Sequence, residues 1–238
     1  MAREAIVSAA RAIDVAQRRH DLVAENVANV STPGFKRRVA AIKPFDDVLA
    51  RKLGRIPDRV GGEVAYDFSP GELRHTGAGL DLAIDGPGFF AIQSASGVRY
   101  TRNGAFAING SGELVTKTGA LVLSAAGPIR VTFPGPEPTV SETGDVLQGG
   151  ALLGTLRVVD FPDRSALRAE GGNFRAGPGA VEIRVPTAVR QGYIESSNVN
   201  SVEELVELIL NMRTLEASQK ALSLRAQLLE KVTNRSQG

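Results

Sequence analysis

The chain has 238 residues, 42% of them hydrophobic and 23% charged, with a mean hydropathy of −0.05, a size that allows one or two domains and needs no disulfide staples. Lys and Arg (28) against Asp and Glu (26) leave a net charge of +2, which excludes a strongly basic nucleic-acid binder and predicts no nucleic-acid partner. Cysteine is absent and His20 and His75 are the only histidines, so thiolate chemistry, Cys-ligated clusters and multi-histidine metal sites are excluded; with no Trp and 5% aromatics, neither a cofactor nor a small-molecule substrate is expected.

The N-terminal stretch has no hydrophobic core of a secretory signal, and no apolar run approaches the roughly 18 to 20 residues that span a bilayer. Residues 1–32 contain neither Gly nor Pro, and the spacing of Ile6, Ala9, Ile13, Ala16, His20, Val23, Val27 and Val30 follows a heptad seam. This predicts a coiled-coil helix over 1–32. His20 is its one polar seam member and reads as a register or packing feature, because no second ligand lies near it. Helix-breaking chemistry follows at once: Asn26 and Asn29 can bond backbone groups as the helix ends, Pro33 stops it, Gly34 allows a sharp turn and Phe35 anchors the exiting chain.

Residues 33–60 read as a basic linker. Lys36 to Val60 carries +5, the whole positive excess of the chain, and is either a solvated connection or a contact surface for an acidic neighbour. Residues 61–195 hold 23 of the 26 glycines and carry −3. Short alternating runs separated by turns predict an antiparallel β-body: Leu80 to Ile84, Phe89 to Gln93, a hairpin at 106–115 turning on Asn109-Gly110, Leu121 to Leu123, Ile129 to Phe133, Leu156 to Phe161 and Val181 to Val185. From Tyr193 to Gln237 glycine disappears again, and 196–238 reads as a second coiled-coil helix. Its seam includes Leu205, Leu208, Met212, Leu215, Leu222 and Leu229, with Ser201 and Glu204 as a capping box. The fold class is therefore α+β: long terminal helices pairing through their seams around a central Gly-rich antiparallel β-domain.

Catalytic signatures are missing. No phosphate loop, H-E-x-x-H or G-x-S-x-G occurs. Asp81 and Asp85 could be written as a glycosidase pair, but no aromatic sugar platform accompanies them, and a solvated strand face explains them. The chain is read as a non-enzyme. A hydrolase using these two carboxylates, or another self-assembling envelope or tail-fibre protein with coiled-coil ends, are the alternatives.

Four stretches carry a resemblance. Glu25-Asn26-Val27-Ala28-Asn29-Val30-Ser31-Thr32-Pro33-Gly34-Phe35-Lys36 resembles the N-N-x-A-N-x-x-T-x-G-[FY]-K run of the bacterial flagellar rod and hook axial family, with Glu25 in place of the usual first Asn. Leu80 to Phe90 is similar to its L-D-x-A-I-x-G-x-G-F-F strand-turn, Tyr100 to Phe106 to its Y-T-R-x-G-x-F strand, and Gly192 to Glu204 to its G-x-L-E-x-S-N-V-N-x-V-E-E run. The stretches occur in the family's order and span the chain, and its length resembles the proximal-rod type ahead of the distal-rod type. The resemblance implies a structural subunit of the basal-body rod in the cell envelope, exported by the flagellar type III apparatus without a cleaved signal peptide. It would assemble with copies of itself and with other rod and hook subunits. It also implies that Asn26, Asn29, Thr32, Pro33, Gly34 and Phe35 serve assembly or export, and that the seam residues Ile6, Ile13, Val23 and Val27 join those of the second helix in an inner tube.

Overall fold

The structure is a computed structural model that describes residues 2–40 and 64–235, without the side chains of residues 2–12, 225, 226 and 228–235. Within it the chain is α+β and divides into two compact units. One comprises residues 1–30, 37–67 and 199–238, and the other residues 31–36 and 68–198.

The first unit is helical. Helix α1 spans Ala2–Ala28 and α2 spans Ser201–Arg235, long stretches in which no Gly or Pro interrupts the hydrogen-bond ladder. They touch each other, and a short antiparallel ribbon of Arg38–Ala40 with Val64–Tyr66 packs beside α1. On α1, Val23 is buried, and Ile13, Ala16, His20 and Val27 are half-buried. On α2, the covered stripe is Glu204, Leu208, Asn211, Leu215, Ser218 and Leu222. Leu208, Leu215 and Leu222 thus lie where the seam predicts. Leu205 and Met212 do not: they are 46% and 47% exposed. Positions that hydropathy alone would exclude, Glu204 and Asn211, take the covered places. The side chains of Ile6 and Leu229 lie outside the described residues. The capping expectation also shifts by one residue. Asn200 Oδ1 accepts from the Val202 and Glu203 amides, at 3.1 and 3.4 Å, so Asn200 caps α2 and Ser201 is its first residue.

The second unit is the β-body, built around a nine-stranded antiparallel sheet. Phe89–Ser94 lies centrally, paired to Gly97–Thr101 on one side and Leu121–Ser124 on the other. The hairpin forms, pairing Phe106–Ile108 with Leu114–Thr116. Asn109 Oδ1 accepts from the Ser111 and Glu113 amides across the five-residue loop, and Gly112, not Gly110, takes the positive φ of 79°. Two expected strands are largely absent. In Ile129 to Phe133 only Arg130 makes a bridge, and in Val181 to Val185 only Ile183 does. In Leu156 to Phe161 the strand is Val158–Val159, with single bridges at Leu156 and Asp160 on either side. Leu82, Ile84, Phe90, Ile92, Phe106, Leu114, Val122, Ile129, Val146, Leu156 and Val189 form the core. A second, aromatic cluster joins Phe68, Phe89, Phe161 and Phe174, with Arg164 lying 5.7 and 5.8 Å over the rings of Phe68 and Phe89.

Candidate functional site

The Asn26–Lys36 run spans the boundary between the two units along the chain, and each unit treats its share in its own way. In the helical unit, α1 ends at Ala28, four residues short of the 1–32 helix read from the sequence, so Val30 lies beyond it. Asn29 Nδ2 donates to the Glu25 carbonyl at 2.8 Å, which also accepts from the Asn29 amide at 3.2 Å. Asn26 is 1% exposed and spends its whole amide. Its Oδ1 accepts from the Arg38 amide and its Nδ2 donates to the Arg38 carbonyl, both at 2.9 Å, while Nδ2 also reaches Glu204 Oε2 at 3.2 Å. Glu204, equally buried, accepts from Arg37 Nε. This hydrogen bond, acting against desolvation, holds the Arg37 guanidinium protonated to a higher pH than usual. Arg37 also lies 3.4 Å from Glu207, which Arg19 engages at 2.7 Å, and Arg38 pairs with Glu25.

In the β unit, Thr32 to Phe35 make a tight turn. Pro33 stands at its second position, Gly34 has φ +68° at its third, and the Phe35 amide donates to the Thr32 carbonyl at 3.2 Å, the features of a type II turn. Gly34 is needed twice over. Its amide donates to the Glu195 carbonyl at 2.8 Å, and a Cβ there would sit 2.3 Å from the Arg102 carbonyl carbon and the Asn103 amide nitrogen. Phe35 is half-buried, less than the full burial expected of an anchor.

Beside this turn lies a buried ion cluster. Lys36 Nζ stands 2.6 Å from Glu195 Oε1, and Arg102 Nε stands 2.7 Å from Glu195 Oε2, with all three side chains at most 5% exposed. Both cations also donate to backbone carbonyls. Lys36 Nζ reaches the Ser69 carbonyl at 2.7 Å, and the Arg102 guanidinium reaches the Gly86 carbonyl at 2.9 Å and that of Gly88 at 2.7 Å. The Gly71 amide donates to Glu195 Oε1 at 2.9 Å. Burial lowers the Arg102 pKa, and Glu195 opposes the shift. One cluster therefore gathers one element from each of the four stretches singled out in the sequence: Lys36, the Gly86-Pro87-Gly88 turn, Arg102 and Glu195.

Three sequence readings change as a result. Lys36, Arg37 and Arg38 are neither a solvated linker nor a free basic surface, since each is bound to a carboxylate of its own chain; residues 41–60, the rest of that basic segment, lie outside the described residues. Glu195 and Arg102 stand in the motifs without a role, and Glu204 only as the capping-box partner of Ser201, because a motif does not show which of its charges are buried against each other. Asp85, half of the candidate acid/base pair, is bonded by Arg190 at 2.9 Å. Among the described residues no cluster of metal-ligating side chains occurs.

Comparison with known proteins agrees with this reading. Residues 6–36 match the family model described as flagella basal body rod protein. Residues 83–148 match the flagellar hook protein FlgE/F/G D1 domain, and residues 190–235 match the flagellar basal body rod FlgEFG protein C-terminal. The flagellar basal-body rod protein FlgF of Caulobacter vibrioides is 36% identical over 225 residues, covering 92% of each chain. The chain belongs to the flagellar basal-body rod family. Other relatives are FlgG of Buchnera aphidicola, 30% identical over 93% of this chain and 95% of its own, and FlgF of Salmonella typhimurium, 32% identical over 85% and 86%. The family is structural rather than enzymatic, and the chain is a structural subunit of the flagellar basal-body rod.

Proposed function

We propose that this subunit builds the axial drive shaft of the rod by pairing α1 and α2 as an antiparallel coiled coil and docking the uncovered face of α2 onto neighbouring subunits. The observation that carries this reading is the exposure of α2. Val202, Leu205, Val206, Ile209, Leu210 and Met212 are 46–68% exposed on a helix whose other side is already covered. An apolar face of that extent is costly to leave in water and suits contact with other helices. Torque transmission follows from such an assembly, because each subunit is gripped by several others in a helical, heterologous lattice. The proximal-rod position is preferred, on the chain length. Export through the flagellar type III apparatus without cleavage of a signal peptide completes the proposal, with Asn26 to Phe35 serving assembly or export.

Deleting the gene in its host and complementing it with the native chain or with Ile209→Glu tests the docking role. Native chain restores swimming; Ile209→Glu leaves the protein folded and exported but the cells non-motile. Swimming restored equally by both would overturn it. Mass spectrometry of the exported chain addresses the second part, and a shortened N-terminus would contradict export without cleavage.

A further inference from the structure

Among the described residues of the helical unit three buried side-chain polar atoms have no hydrogen-bond partner: Nε of Arg38, whose guanidinium is held by Glu25 through Nη1, and, on the two facing helices, Nδ1 of His20 on α1 and Nδ2 of Asn211 on α2. Asn211 as a whole is only 9% exposed. Leaving either of the two helix atoms unbonded away from water is expensive, so both need an explanation. The bonds already present set the helices' relative direction and register. Asn26, near the end of α1, reaches Glu204, near the start of α2, and Arg19, about two turns earlier on α1, reaches Glu207, later on α2. The helices therefore run antiparallel. Stepping back along α1 through Val27, Val23, His20, Ala16 and Ile13 gives intervals of 4, 3, 4 and 3 residues. Stepping forward along the covered stripe of α2 through Glu204, Leu208, Asn211, Leu215 and Ser218 gives the same intervals in the same order. Matched step for step, Val23 meets Leu208, Ala16 meets Leu215, and His20 meets Asn211 between them.

Resting on the paired-helix reading above, we propose that His20 and Asn211 form one polar layer that fixes the register of α1 against α2. The Asn211 amide donates from Nδ2 to Nδ1 of the neutral imidazole, which keeps its proton on Nε2. One such bond satisfies both orphaned atoms at once. A slide of one heptad would instead break the bond, setting Asn211 against the apolar Ile13 or Val27 and His20 against Ser218 or Glu204. Apolar layers slide with little penalty, whereas a buried polar layer penalises every register but one. Register matters here because α2 carries the exposed Leu205, Ile209 and Met212, and a heptad slide displaces that face by about 10 Å along α1.

The absence of native cysteine makes the register directly measurable in the full-length chain. Ala16→Cys with Leu215→Cys reports the proposed register, and Ala16→Cys with Leu222→Cys reports a slide of one heptad. After mild oxidation at low protein concentration, the first pair should form an intrachain disulfide and the second almost none. In the background His20→Leu with Asn211→Leu, the yield of the slid pair should rise by about tenfold or more, the factor implied by removing the penalty for an unpaired buried polar group. His20→Gln, which keeps an acceptor, should hold the native register. A slid-pair yield unchanged by the leucine background would overturn the register role while leaving helix pairing intact. Cross-linking in neither register would overturn the pairing itself. Dimer-sized products in place of intrachain ones would assign the layer to a contact between two copies and overturn the intrachain bond.

Discussion

Glu195 is the single carboxylate between two buried cations, so its loss and the loss of Lys36 are not equivalent. Glu195→Gln strands Lys36 and Arg102 in a site closed to water and is expected to destabilise the β unit by about 3 to 5 kcal/mol. Lys36→Met removes one cation but leaves the Arg102–Glu195 pair, and should cost clearly less. Urea unfolding of both variants checks the order; equal losses would mean that Lys36, not Glu195, holds the cluster. Gly34→Val faces both a positive φ and backbone atoms 2.3 Å from the new Cβ. It should detach the 31–36 turn from the β unit, seen as faster amide exchange at Gly34 itself. Asp160 titrates in a third place. Burial works to raise its pKa, but paired hydrogen bonds from Arg164 at 3.0 and 2.8 Å prevail and hold it below the usual carboxylate value. A carboxylate depressed in the folded state adds stability above its unfolded pKa of about 3.9 and loses it as pH falls through the folded value. The β unit should therefore hold its stability from pH 7 to 5 and decline below about pH 4. Asp160→Asn should be less stable at pH 7 and show a shallower decline, measured as urea midpoint against pH.

At the scale of elements, α2 shows what hydropathy can and cannot tell. The absence of Gly and Pro was enough to read both helices and the β-body between them, and Leu208, Leu215 and Leu222 fell on the covered side. Leu205 and Met212 were misplaced because two polar residues, Glu204 and Asn211, occupy covered positions, and nothing local in the sequence reveals partners such as Asn26 on the other helix and Arg37 beyond its end. The same limit applies to the junction. Helix termination by Asn29 and the Pro33-Gly34 turn depend on near neighbours and were legible; the Lys36–Glu195–Arg102 cluster depends on contacts across 159 residues and was not. In the body, Ile129 to Phe133 has strand-like composition, but Pro134 ends it and its amides bond singly, to Val122 and Gly112. The two sides of α2 predict opposite mutational outcomes. Leu215→Ala, at an 8% exposed position, should lower helical-unit stability by about 2 to 3 kcal/mol. Leu205→Ala should change it by less than about 0.5 kcal/mol. Thermal unfolding followed by circular dichroism separates the two.

For the whole molecule, the division of labour follows from these interactions. A β unit with its own core and a buried ion cluster needs no partner to satisfy its charges, whereas a helical unit that leaves Val202, Val206, Ile209 and Leu210 more than half exposed is incomplete by itself. The account therefore assigns assembly to the helices. Its most direct test is the amount of this chain in flagellar basal bodies purified from cells expressing, as the sole copy, either the native sequence or Ile209→Glu. The native chain should be recovered with the rod, and Ile209→Glu should be folded and exported yet missing from the purified particles. Recovery of Ile209→Glu in the rod at the native level would contradict the account.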